Sequence, residues 1–135
     1  MTCHQKYLSL KTSQKRELVD LTERIGAVLS ASGLRRGIIS VFTKHSTAGL
    51  LVTENESGLK SDFLEVLGQL DNTDYAHNKI DDNAAAHLIS GLVSPSLTVP
   101  FAEGKLALGT WQSLFLVEAD GPRPEREISV TLIGE

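Results

Sequence analysis

One cysteine, Cys3, stands in the 135 residues, so no internal disulfide can staple the chain and no CxxC metal site exists. Excess positive charge is missing as well: 13 Lys and Arg face 17 Asp and Glu, for a formal net charge of −4. Without a basic field or a run of like charge, the chain is not expected to hold a phosphodiester backbone, which excludes nucleic acid as a partner. Long apolar runs are absent too. The longest stretch, LALGTWQSLFLV, is broken by Gly, Thr and Gln and falls short of the roughly 20 residues of a membrane span. The start, MTCHQKYLSLKTSQKRE, has no secretory h-region, so a cytoplasmic protein with no membrane partner is expected. No repeat and no low-complexity linker interrupts the chain, and one domain over residues 1–135 is the economical reading.

What is present is punctuated by glycine and by changes of period. Tyr7, Leu8 and Leu10 among polar neighbours read as an edge strand. After Ser13, RELVDLTERIGAVLSASG places Leu18, Leu21, Ile25, Val28 and Leu29 at helical spacing, with Gly33 as the stop. Residues 37–43 and 49–53 are β-branched and aliphatic, hence strands. LKSDFLEVLGQL after Gly58 is an amphipathic helix, and Asn83 to Val93 a short one ended by Gly91 and Ser94-Pro95. Ser96–Phe101, Lys105–Leu108, Thr110–Glu118 and Ile128–Ile133 follow as four strand-like runs. Helices early and strands late predict an α+β fold: a mostly antiparallel β-sandwich or barrel-like sheet with two or three covering helices.

Strand parity then singles out polar groups. Side chains two apart share a face, so His45 continues the row of Ile39 and Val41, and Glu54 that of Leu50 and Val52. Arg126 precedes Ile128, Val130 and Leu132, and Glu118 follows Gln112, Leu114 and Leu116. Trp111, Phe115 and Val117 make the opposite row apolar, which predicts a strand covered on both faces. Each charged end alone is an ordinary rim residue, but four in one small domain point to a shared polar pocket. On the DDNAAAHLISG helix, Asn83 and His87 lie one turn apart on one face. His45, His77 and His87 come from a strand end, a loop and a helix. They are compatible with a three-histidine zinc or magnesium site, although no HxH or HxxxH spacing enforces one. Trp111 could stack on a heteroaromatic ligand, while a lone Trp beside Gly109 also reads as a core anchor.

HSTAGLLVTEN, YAHN, DDNAAAHL, SPSLTVP, GKLALGTWQSLFLVEADGP and VTLIGE together resemble the signature segments of the YjbQ family, the secondary thiamine-phosphate synthase enzymes, along nearly the whole chain. The resemblance implies a compact α+β domain assembled as a homotrimer, with a polar cleft near the subunit interface. Its histidine and glutamate positions fall here on His45, Glu54, His77 and His87, and its pair of small or hydroxyl residues on Ser46 and Thr47. The chain departs at Pro124-Glu125, where many relatives are more uniformly basic. The implied activity condenses a hydroxymethylpyrimidine diphosphate with a thiazole phosphate and releases pyrophosphate.

The expected site therefore has Glu54, His45, His77 and His87 as catalytic groups, with a divalent ion on the three histidines. Ser46, Thr47, Asn83, Trp111, Gln112, Glu118 and Arg126 are expected against a small phosphorylated substrate. The chain offers no Walker-type phosphate loop, and a His/Glu cluster suits metal-dependent hydrolysis equally well. A non-catalytic trimer that binds a metal or small molecule is the reading from a different class.

Overall fold

A computed structural model describes residues 1–135. Eight strands form two antiparallel sheets. Strands β1 (Thr2–Leu10), β8 (Arg126–Gly134), β3 (Gly37–Thr43), β5 (Ser96–Ala102) and β6 (Lys105–Leu106) lie side by side in that order in the larger sheet. The smaller sheet runs β2 (Glu17–Asp20), β7 (Ser113–Glu118), β4 (Ala48–Thr53). Three helices, α1 (Thr22–Ser32), α2 (Ser57–Gly68) and α3 (Ala84–Val93), complete the α+β architecture. No helix is long and apolar enough to cross a membrane.

The inner faces of the two sheets meet in an aliphatic core. Ile39 and Val41 of β3, Ile128, Val130 and Leu132 of β8, Leu50 of β4, and Leu114 and Leu116 of β7 are all fully buried there, with Ile25 and Leu29 of α1 packed in. The alternation along β8 is the predicted one, with Arg126, Ile128, Val130, Leu132 and Gly134 buried and Ile133 exposed. Burying this apolar surface is the main term favouring the fold. A second, smaller core lies on the other side of β7, where Val117 and Ala119 meet Leu67 of α2 and Ala86 and Ile89 of α3. Strand β7 is thus covered on both faces, as its two apolar rows require. The layers run α2 and α3, small sheet, core, large sheet, and the outer face of the large sheet carries no helix.

One predicted element divides. The helix read from Arg16 begins only at Thr22, because Glu17–Asp20 pair with Phe115–Glu118 as strand β2. Helical spacing at Leu18 and Leu21 cannot compete with the ladder bonds that β7 offers, and Asp20 marks the change by accepting the Thr22 N–H at 2.8 Å. Gly33, at φ 73°, closes α1 in the left-handed conformation as expected.

Helix α3 is positioned by close approach to β4. A Cβ on Gly49 would run into Val93, so glycine allows the contact. Ser90 Oγ donates to the Ala48 carbonyl at 2.6 Å and Leu50 N–H to the Ser94 carbonyl at 2.8 Å. These bonds fix the helix that carries His87.

Candidate functional site

The polar residues named by parity separate into two clusters. In the first, Glu118 at the end of β7 and Arg126 at the start of β8 are 0% and 2% exposed. Arg126 Nε donates to Glu118 Oε2 at 2.7 Å, and its Nη2 to Oε1 at 2.5 Å. The same Nη2 reaches the carbonyl and the Oγ1 of Thr47, both at 3.1 Å. Thr12 Oγ1 donates to Glu118 Oε2, and the Asp120 N–H to Oε1, each at 2.9 Å. Burial alone would raise the Glu118 carboxyl, but the Arg126 guanidinium, the Asp120 N–H and the Thr12 hydroxyl outweigh it and hold the group below the usual carboxylate range. Glu118, Arg126 and Thr47, expected against substrate, are here one another's partners and face no open space. A buried charge pair is tolerable only when satisfied in this way.

His45 lies beside this cluster. Its Nε2 accepts the Glu127 N–H at 2.9 Å. Partial burial and the Arg126 charge lower its pKa, against the opposing pull of Glu118 and Glu127. The ring opens on a shallow recess of about 280 Å³ lined by Lys44, His45, Glu125 and Glu127.

The second cluster is at the start of α3. His77, on a short 3₁₀ turn over Ala76–Lys79, meets His87 edge to face, with ring centroids 4.9 Å apart and planes at 76°. Its Nε2 lies 3.0 Å from Asn83 Oδ1, so the Asn83 side chain is drawn to the histidine and makes no cap bond to α3. Asn78 Oδ1 takes the Ala84 N–H instead, at 3.1 Å. Next to it is a cleft of about 160 Å³ whose walls include Lys15, Arg16, Tyr75, Asn78, Asp82 and Asn83. Arg16, with only 10% of its side chain exposed, grips Asp71 through both Nη atoms at 2.5 and 2.7 Å. That pairing holds the Asp71 carboxyl below its ordinary range.

The structure brings His77, His87 and Asn83 together. It does not bring His45 to them, and no three His, Cys, Asp or Glu side chains of this chain are grouped to hold one metal ion. Two imidazoles fall short of the three or four protein ligands of a zinc site. Glu54 is half-buried at the end of β4 and has no hydrogen bond to a neighbouring side chain. The other polar groups of its segment are structural: Asn55 donates to Asp20 at 2.7 Å, and Glu56 caps α2 by accepting the Gly58 and Leu59 N–H groups. Ser46 is exposed, and Gln112 folds back to accept the Gly109 N–H at 2.8 Å. Trp111 is 72% exposed, which overturns the core-anchor reading and leaves its indole free to stack. Sequence reasoning missed Thr12, Lys15, Arg16 and Asp71. Only the Lys15-Arg16 pair carries a signal, and its Arg16 falls at the start of the stretch read as helical.

A family model for UPF0047, YjbQ-like proteins matches residues 6–135. The chain belongs to the YjbQ/UPF0047 family. A UPF0047 protein of Methanothermobacter thermautotrophicus is 44% identical over all of this chain and 95% of its own length. The YugU protein of Bacillus subtilis is 33% identical over 87% of this chain and 91% of its own. Among solved structures, a YbjQ-like protein of unknown function from Sulfolobus solfataricus superposes with a TM-score of 0.96 at 40% identity, covering 99% of both chains. A hypothetical protein from Aeropyrum pernix gives 0.93 at 34% identity, covering 98% of this chain and 99% of its own. The paired sheets and the covering α2 and α3 are therefore the fold of the YjbQ/UPF0047 family.

Proposed function

We propose that this YjbQ/UPF0047 protein is a small cytoplasmic enzyme acting on phosphorylated heterocycles, with the cleft at the start of α3 as its site. The observation that carries this reading is the solvent-open His77–Asn83–His87 cluster beside a cleft at a helix N-terminus, a cleft that Asn83 and Lys15 line and the two histidines adjoin. The activity it fits is of the thiamine-phosphate synthase type. In that reaction the C–O bond between a pyrimidine methylene and its diphosphate breaks, the electron pair leaves with pyrophosphate, and a thiazole nitrogen forms the new C–N bond. No proton moves at the reacting carbon, so the protein's task is to stabilise negative charge on the departing group and to hold two rings together. Lys15 and the positive end of α3 supply the first, with the wall carboxylates Asp71 and Asp120 already paired to Arg16 and Arg123, and the His87 ring and the Nδ1 edge of His77 orient the leaving oxygens.

A cleft of about 160 Å³ lies below the roughly 300–1,000 Å³ of small-molecule sites, so one chain holds only part of the reactants. The remaining wall would come from a second copy within a homotrimer. The uncovered face of the large sheet supports assembly: Ile38 stands opposite Ile133, and Phe42 and Tyr7 flank Ser129 across three neighbouring strands. These four apolar side chains are 41–48% exposed. Light scattering is expected to give the mass of three chains.

The test incubates purified protein with the pyrimidine diphosphate and thiazole phosphate and follows thiamine phosphate and pyrophosphate together. Stoichiometric appearance of both, lost in His87→Ala, supports the reading. Release of inorganic phosphate alone would replace it with hydrolysis, and no turnover of either substrate would leave a binding protein.

A further inference from the structure

We infer that His45 is a fixed hydrogen-bond donor, through Nδ1–H, for an uncharged acceptor on a ligand seated between Lys44 and Glu125, and is neither a metal ligand nor a base. The argument begins with the Glu127 amide. A backbone N–H has no choice of role: it donates, so the Nε2 that receives it at 2.9 Å must present a lone pair. A neutral imidazole with its lone pair on Nε2 carries its proton on Nδ1. That proton has no acceptor in the protein. The only buried side-chain nitrogen or oxygen without a partner is Arg16 Nε, so Nδ1 is open to solvent at the recess.

Two roles are thereby closed. A base needs a free lone pair, and the exposed nitrogen has none. A metal ion would need a lone pair on Nδ1, which the ring provides only by moving its proton to Nε2, against the Glu127 N–H. Either role breaks the bond that holds β8 to the turn before β4.

The recess also defines its occupant. Glu125 and Glu127 oppose the single ammonium of Lys44, which lies 3.7 Å from Glu127 Oε1 and 5.4 Å from the Tyr7 ring centroid. This excess of carboxylate disfavours a phosphate. Glu125 makes no hydrogen bond or ion pair within the chain and can accept a hydrogen bond from a ligand donor, while His45 Nδ1–H serves an acceptor beside it. An acceptor next to a donor, without net charge, is the edge of a carboxamide. The inference stands apart from the synthase reading, which places the phosphorylated part of its substrate at the other cluster.

The test is nitrogen-15 NMR of the imidazoles in the intact wild-type protein near neutral pH, then with nicotinamide, inorganic phosphate and zinc ion added separately. The expected spectrum shows His45 protonated at Nδ1, shifted by millimolar nicotinamide and unmoved by phosphate or zinc. A His45 protonated at Nε2, a zinc-induced shift of its ring nitrogens, or a response to phosphate but not nicotinamide would overturn the inference, as would no response to nicotinamide. Because none of these readouts needs turnover, they separate this inference from the fate of the synthase assay. Two variants sharpen the assignment. His45→Asn keeps a donor near Nδ1 and is expected to retain nicotinamide binding, whereas His45→Gln keeps only the acceptor for Glu127 and weakens it about five- to ten-fold, the worth of one neutral hydrogen bond. Equal binding by wild type and both variants would show that the ring is not the donor.

Discussion

The two polar clusters use similar residue types to opposite ends. Around Glu118 and Arg126 both side chains are buried, and both Glu118 oxygens and the Arg126 Nε and Nη2 are bonded to Thr12, Thr47, Asp120 or the partner. Around His77 and His87 the groups are half or fully exposed, and His87 makes no side-chain hydrogen bond. The sealed cluster ties the ends of β7 and β8 to two loops. The open one keeps unused hydrogen-bonding capacity at the surface. Burial and saturation mark a strut, and exposure with unused capacity marks a site.

The hardest way to break the comparison is to remove one charge of the sealed pair. Arg126→Met leaves the Glu118 carboxylate buried without its cation and is expected to cost about 3–5 kcal/mol in urea unfolding. Adding Glu118→Leu should recover most of that loss. Were the single variant as stable as wild type, the cluster would not be the strut described. Thr47→Val removes one acceptor from the same guanidinium, and a loss of about 1.5–3 kcal/mol is expected, the range for hydrogen bonds to charged groups.

Acid should act on the same end of the molecule in two stages. The His45 pKa is lowered in the fold by burial and by Arg126, with Arg123 on the same side and Glu118 and Glu127 opposing. The unfolded chain therefore takes up its proton first, so stability is full above the ordinary value of 6.5 and falls as pH drops below it toward the folded value. Glu118 adds a second loss below 4.5 by the same logic, since its folded pKa is also depressed. A urea midpoint that held level from pH 7 to pH 5 would argue against the His45 assignment.

The open cluster should behave in reverse. His87→Ala is expected to shift stability by no more than about 0.5 kcal/mol while abolishing turnover in the two-substrate assay. A large unfolding cost would make the pair structural. The smallest effect is spectroscopic: Trp111 is the single tryptophan and is exposed in the single chain, so a monomer should emit like free indole in water. A blue shift on adding substrate would place a ligand against that ring.

Much of the fold was legible because burial and backbone pairing write a period into sequence. The β8 row from Arg126 to Leu132, the doubly covered β7 and the α3 pair Asn83 and His87 needed only parity and helical spacing. Strand β2 was not legible, since Glu17–Asp20 fits either period and only the presence of β7 decides between them. Trp111 failed for a related reason: composition says that an indole prefers burial, but the wall to bury it against is a matter of topology.

The site divides along the same line. Sequence by itself determined which residues end the apolar rows, His45, Glu118 and Arg126 among them, because alternation is a local property of the chain. It could not tell which row ends face each other. Tertiary structure alone set Arg126 against Glu118, gave Thr12 and Thr47 to that pair, and turned His45 toward the Glu127 amide and away from His77 and His87. Partner choice is a long-range matter, settled by strand order and loop path, and a buried charge is stable only where an opposite charge and hydrogen-bond partners meet it.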